Sequence, residues 1–96
     1  MDTASMIKKV KEEISNFVKG LCDAKPDKEI LECSVNLENE FRTLEKSEKK
    51  DTMFSNAVKA ISSHINFLIE KFSDVCHLTL KLSYLRERFN LMIECI

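Results

Sequence analysis

The chain contains one glycine, Gly20, and one proline, Pro26, among its 96 residues. Hairpins, bulges and tight turns depend on these two residue types, so a β-sandwich, a β-barrel or a glycine-rich nucleotide-binding loop is not expected. Long helices need neither residue in their interiors. We therefore predict an all-α fold, and the chain length limits it to one domain with one modest core.

The balance of charge and hydropathy argues against several classes of partner. Fifteen basic and 16 acidic side chains give a formal charge of -1, so the long-range attraction to phosphate that non-specific nucleic-acid binding needs is missing. No apolar stretch approaches the roughly 18 residues of a membrane span, and the N-terminus lacks a signal-peptide pattern. We expect no nucleic-acid partner, no membrane span and an intracellular location, cytoplasmic or nuclear.

The four cysteines offer no recognisable chemical motif. Cys22, Cys33, Cys76 and Cys95 are unevenly spaced, and no CxxC or HxxxH arrangement of metal ligands occurs. Cys76 and His77 are adjacent, but neighbours on a helix point about 100° apart and cannot activate each other. We therefore predict free thiols in a reducing compartment and a protein that is not an enzyme, with no cofactor, no metal and no small-molecule substrate.

Two amphipathic helices are predicted in the N-terminal half, where they form a helical hairpin. The first spans about residues 3–23, and the second spans about 26–47 with Pro26 at its first position. Glu45 and Lys49 are spaced i,i+4, which predicts an ion pair that supports the second helix locally. The apolar stripes of the two helices consist of Met6, Val10, Ile14, Phe17, Val18 and Leu21, then Ile30, Leu31, Leu37, Phe41 and Leu44.

The C-terminal half carries the longest apolar pattern. Large apolar residues recur in steps of three and four from Phe54 to Ile96, which predicts a long amphipathic helix over about 52–95. The one irregularity is a 3-3 step at Phe72-Val75-Leu78, and a break near 73–74, with Ser73 as the new cap, is the alternative. Residues 78–84 also alternate like a strand, but the chain offers no second strand to pair with, so helix is predicted there.

The length of this helix decides the expected architecture. A continuous helix over 52–95 would measure about 65 Å at 1.5 Å per residue, whereas a compact 96-residue protein is about 32 Å across. One compact chain cannot cover such a helix, so we expect an oligomeric helical bundle or coiled coil. A break near 73–74 would instead give a self-contained bundle of four shorter helices.

Ten residues of the main stripe are the predicted interface for self-association or assembly. They are Phe54, Ile61, Ile65, Leu68, Phe72, Leu78, Leu82, Leu85, Phe89 and Met92. A second apolar set widens the stripe beyond a two-residue seam, so this half is expected to contact more than one partner helix. It consists of Met53, Ala57, Ala60, Phe67, Ile69, Cys76, Leu80, Tyr84, Leu91 and Ile93.

These patterns predict a non-enzymatic protein-protein interaction module. Its expected partner is a second copy of the chain or another helical protein, within a multi-subunit complex. The alternative is a monomeric four-helix regulatory bundle that binds a partner helix in a groove. Because the apolar pattern continues to Ile96 without a capping glycine or a polar tail, we expect residues 1–96 to be one helical assembly domain at the N-terminus of a longer protein.

Overall fold

The computed structural model describes residues 2–24, 27–49 and 51–96, and it places most of them in four α-helices. The helices are α1 (Thr3–Ala24), α2 (Lys28–Lys46), α3 (Thr52–Lys71) and α4 (Cys76–Cys95). No strand occurs within the described ranges. The all-α prediction is confirmed, and the alternating segment 78–84 is helical.

Aspartates cap the first two helices. The carboxylate of Asp2 accepts a hydrogen bond from the Ser5 N–H at 2.7 Å, and Asp27 accepts one from the Glu29 N–H at 2.8 Å. Each bond satisfies an amide that has no partner inside its helix. Because the bonds favour the charged form, they lower the pKa of both carboxyl groups below the ordinary value of 3.8. The predicted first residue of the second helix, Pro26, lies outside the described residues.

The predicted continuous helix over 52–95 is wrong, because the backbone turns between α3 and α4. Phe72 ends α3, and Val75 precedes α4 with an extended backbone. The turn coincides with the 3-3 step in the apolar pattern. Ser73 is not the cap that the break was expected to use: the Thr79 hydroxyl instead donates across the turn to the Phe72 carbonyl at 2.6 Å.

The turn lets one chain bury its own apolar stripe. A helix of about 65 Å would leave much of that stripe in water, whereas two antiparallel helices of about 30 Å cover each other and the N-terminal hairpin. The resulting molecule measures 37 × 22 × 18 Å. The alternative four-helix arrangement is therefore the observed one.

Viewed along their axes, the four helices form a square in which helices that are consecutive in the sequence pack against each other. α2 packs between α1 and α3, and α4 closes the square by packing against α3 and α1. In the described part of the chain, α2 and α4 make no close backbone approach, so they occupy diagonal corners. The outer faces of α2 and α4 therefore point in opposite directions.

Ion pairs between helices replace the local pair that spacing predicts. Glu45 pairs with Lys11 of α1 at 3.3 Å, because α2 ends at Lys46 and Lys49 is no longer on the helix. This contact joins the beginning of α1 to the end of α2, as antiparallel packing requires.

Lys71 ties the end of α3 to the beginning of α2. Its ammonium lies 3.1 Å from the Glu29 carboxylate and 3.3 Å from that of Asp27. Hydrogen bonds to these two carboxylates raise the pKa of Lys71 above its ordinary value of 10.5. Since all these groups are solvent-exposed, the cluster orients the two helix ends and contributes little free energy of unfolding.

The core lies along the axis of the square and contains residues from all four helices. At its centre Phe41 of α2 and Phe89 of α4 meet edge to face, with ring centroids 5.9 Å apart and planes at 84°. This geometry suits the charge distribution of aromatic rings. The remaining buried members of the core are Ile7, Val10, Ile14, Val18, Cys33, Leu37, Leu44, Phe54, Ala57, Ile61, Ile65, Leu68, Leu82, Leu85 and Met92.

Candidate protein-interaction face

The residues predicted as an intermolecular interface lie largely inside the single chain. Eight are buried in the core, namely Phe54, Ile61, Ile65, Leu68, Leu82, Leu85, Phe89 and Met92. Phe72 and Leu78 are half-buried, and Phe72 packs against the core. The fold thus uses nine of these ten side chains, all but Leu78, to join α3 and α4 to the rest of the bundle, and this conformation does not present them to a partner as a continuous seam.

Part of the second apolar set forms a different surface, the outward face of α4. Leu80, Tyr84 and Leu91 are 65%, 50% and 51% exposed, respectively. They share one face of the helix because their spacings, four and seven residues, correspond to one and two turns. The exposed Glu87 lies on the same face, between Tyr84 and Leu91. This face is opposite the one that carries Leu82, Leu85 and Phe89 into the core. We call it the α4 outer face.

Two cations hold the aromatic ring at the centre of the α4 outer face. The Lys81 ammonium lies 5.1 Å from the centroid of the Tyr84 ring, and the Arg88 guanidinium carbon lies 6.0 Å from it. Both distances are within the range of cation–π attraction. These contacts favour this orientation of the ring on the free surface.

A groove between α1 and α4 adjoins the α4 outer face. It has a volume of about 260 Å³ and is lined by Met6, Lys9, Val10, Arg88, Leu91, Met92 and Cys95. Leu91 belongs to both surfaces, so groove and face are continuous. We call this cleft the α1–α4 groove.

Arg88 occupies the boundary between the groove and the Tyr84 ring. One of its amino nitrogens donates to the Glu13 carboxylate of α1 at 2.5 Å. Its Nε atom is buried and has no hydrogen-bond partner within the described residues. Arg88 thus joins α1 to α4 and still has a donor unused.

Other exposed apolar side chains are more dispersed. Leu31 and Val35 form a pair on the outer face of α2, diagonal to α4. Met53 lies at the start of α3, and Phe67 lies beside a shallow cleft between α2 and α3. Isolated exposed apolar residues are common on protein surfaces, and the Leu31–Val35 pair is smaller than the α4 cluster of three, so the α4 cluster is the stronger candidate for a function.

The thiol and imidazole groups do not converge on one site. Cys76 and His77 are both exposed at the start of α4, and Cys95 is exposed at its end. Cys33 is buried and its Sγ atom donates to the His64 carbonyl at 3.6 Å. Among the side chains that the structure describes, no three His, Cys, Asp or Glu residues are placed to hold a metal ion. The side chain of Cys22 lies outside the described part.

Leu80, Tyr84 and Leu91 belong to the second apolar set predicted from the sequence, whereas the groove was not predicted. The contributions of Met6 and Lys9 depend on the antiparallel packing of α1 against α4, which no local pattern specifies. The available signal was the abundance of apolar residues on more than one side of α4.

The geometry defines the class of protein as a small all-α four-helix bundle that exposes apolar side chains on the outer face of α4. None of the described helices is long and apolar enough to cross a membrane. Comparison of the chain with protein-family models, with curated proteins and with solved structures finds no match. The function must therefore be argued from the surface itself.

Proposed function

We propose that this protein is a non-enzymatic protein-protein interaction module in which the α4 outer face binds a helical partner. The observation that carries the proposal is that α4 exposes three large apolar side chains, with Glu87 among them, opposite the face that packs into the core. One face completes the core, and the other exposes Leu80, Tyr84 and Leu91. A helix that served only the monomer would need one apolar face.

The energetics favour covering this surface. Fully burying a leucine side chain contributes roughly 1.5–3 kcal/mol, so covering three half-exposed apolar side chains supplies a substantial driving force for association. Tyrosine and arginine are also the residue types that most often dominate binding energy at interfaces. Tyr84 and Arg88 are in contact on this surface. Their cation–π contact reduces the conformational entropy that the two side chains would lose on binding.

The proposed binding surface is the α4 outer face, and not the ten residues that the sequence pattern predicts as an interface. The partner remains a second copy of the chain or a different helical protein, as a subunit of a larger complex. The proposed location is the cytoplasm or the nucleus, since Cys76 and Cys95 are exposed free thiols that an oxidising compartment would modify.

Site-specific photo-crosslinking in cells tests the proposal. A photoreactive phenylalanine analogue replaces Tyr84 in one version of the protein and Asn39, an exposed residue of α2, in the matched control. We expect discrete crosslinked products from position 84 that disappear when Leu80→Glu is added. Products that are absent at position 84, or identical at both positions, would contradict the proposal.

The mass of the purified protein, measured by sedimentation at several concentrations, identifies the type of partner. A mass that rises with concentration and is restored to that of one chain by Leu80→Glu indicates a second copy. A mass of one chain throughout, together with crosslinks in cells, indicates a different protein.

A further inference from the structure

The chemistry of the α1–α4 groove indicates which kind of helix fits it. Its walls are mainly apolar, with Met6 on one side and Leu91 and Met92 on the other. The only charged side chains among its lining residues are those of Lys9 and Arg88, and both are cationic. An apolar groove with a cationic rim is complementary to an apolar stripe flanked by carboxylates.

Arg88 strengthens the case for a carboxylate. Glu13 engages one terminal nitrogen of the guanidinium, and the Arg88 side chain is 35% exposed. The second terminal nitrogen has no acceptor in the described part of the chain, so a ligand carboxylate can accept a hydrogen bond from it. Guanidinium groups form their strongest hydrogen bonds with carboxylates.

The charge of the whole molecule does not produce this preference. The chain has a formal charge of -1, so a negatively charged peptide experiences no general attraction to it. Any preference for acidic over basic helices must therefore arise locally, at Lys9 and Arg88.

We infer that the α1–α4 groove binds an amphipathic helix of a partner protein, with apolar side chains at i, i+4 and i+7 and with aspartate or glutamate beside them. The apolar side chains pack against Met6 and Leu91, and the carboxylates pair with Lys9 and Arg88. This inference rests on the proposed interaction function and specifies the partner's binding segment.

A displayed peptide library tests the inference. The probe is a phage library of helices of about 18 residues, or five turns. Apolar residues are fixed at i, i+4, i+7 and i+11, and Asp, Glu, Lys, Arg, Ser and Ala are equally represented elsewhere. We expect selection on the intact protein to enrich Asp and Glu beside the apolar stripe and to deplete Lys and Arg there.

Variants then locate the binding. Leu91→Lys is expected to weaken the selected peptides about tenfold or more, because it places a charge on the apolar wall. Lys9→Glu is expected to weaken them about three- to tenfold and to favour peptides in which Lys replaces the acidic residues. Lys59→Glu on the exposed surface of α3 makes the same change in net charge and should leave binding unchanged.

Three outcomes would overturn the inference: no enriched peptides, enrichment without a preference for acidic residues, or binding that tolerates Leu91→Lys. It would also be wrong if the purified protein self-associated and Leu91→Lys made it monomeric, since the occupant would then be a second copy. In each case crosslinks from position 84 in cells would still support the interaction function, so the two failures are distinguishable.

Discussion

α2 and α4 occupy diagonal corners of the same bundle, yet they use their sequences differently. α2 has eight charged residues among 19, and its core face is a single stripe. α4 has five charged residues among 20 and exposes Leu80, Tyr84 and Leu91 opposite its core face. The two helices contribute Phe41 and Phe89 to the same central contact. The difference is therefore on their outer faces.

This difference indicates that separate surfaces of one small domain serve folding and binding. The outer face of α2 is mainly charged, and packing and solvation account for it apart from the exposed pair Leu31 and Val35. The outer face of α4 exposes three large apolar side chains that the fold does not need, and their contact with water is unfavourable. We therefore assign α2 to the scaffold and α4 to recognition.

The largest effect is expected from a substitution on the core face of α4, in comparison with one on its outer face. Phe89→Ala should lower the free energy of unfolding by about 3–5 kcal/mol, because it leaves a cavity beside Phe41. Tyr84→Ala should lower it by less than about 0.5 kcal/mol, because Tyr84 is half-exposed. Urea unfolding followed by circular dichroism measures both.

Phe89→Leu keeps this test informative if the alanine variant does not fold. We expect it to cost less than about 1.5 kcal/mol, since most of the side-chain volume remains. Equal losses of stability for Phe89→Ala and Tyr84→Ala would show that the two faces of α4 are not distinct.

The sequence was sufficient to predict the helical class and most of the apolar residues that become buried. It missed Ile7 and Cys33, which enter the core, and it included Leu31, which is exposed. The near absence of glycine and proline and the steps of three and four residues are local properties, and the helices follow them. Phe54, Ile61, Leu82 and Phe89, which were predicted to contact another chain, are buried inside this one. Periodicity identifies a face that must be covered, but it does not say what covers it.

The turn between α3 and α4 shows why the architecture was harder to predict. It contains neither glycine nor proline, and its stabilising hydroxyl comes from Thr79, seven residues beyond Phe72. The irregular 3-3 step marked the place without deciding between a continuous helix and a break. The choice depends on the area buried when α3 and α4 fold together, which is a property of the whole chain.

The Thr79 hydroxyl is expected to stabilise the turn between α3 and α4. Thr79→Val removes the hydroxyl that donates to the Phe72 carbonyl and keeps the shape of the side chain. We expect a loss of about 1 kcal/mol in urea unfolding. The control is Thr43→Val in α2, where the hydroxyl donates to the Asn39 carbonyl within a regular helix. The control should change stability by less than about 0.5 kcal/mol.

A smaller effect is expected from the two ion pairs that join α4 and α2 to α1. Arg88 and Glu13 join α4 to α1, whereas Lys11 and Glu45 join α2 to α1. All four side chains are about one-quarter to one-third exposed. A double-mutant cycle with Arg88→Gln and Glu13→Gln should give a coupling energy of up to about 1 kcal/mol.

The matching cycle at Lys11 and Glu45 should give a smaller coupling energy, because the two charged groups are 3.3 Å apart there and 2.5 Å apart in the Arg88–Glu13 pair. Equal couplings in the two cycles would mean that the shorter contact contributes nothing extra. That result would also weaken the structural role that we assign to Arg88.

The smallest effect is expected from the pH dependence of the N-terminal cap of α2, in comparison with the start of α4. Asp27 caps α2 through its carboxylate, whereas Val75 precedes α4 without a side-chain cap. The hydrogen bond from Glu29 lowers the pKa of Asp27 below 3.8 in the folded protein. Its contribution to stability is therefore complete above pH 3.8 and is lost as the pH falls through the lowered value. Acid should loosen the start of α2 before it affects the start of α4.

Asp27→Asn tests this directly, because asparagine also caps helices but does not titrate in this range. Between pH 5 and pH 2 the melting temperature of the wild type should fall more than that of Asp27→Asn, by a degree or so. Asp74→Asn, in the α3–α4 turn, removes one carboxylate without touching a cap and should follow the wild type. If Asp27→Asn and the wild type lost stability in parallel, the capping bond would not be the acid-sensitive feature.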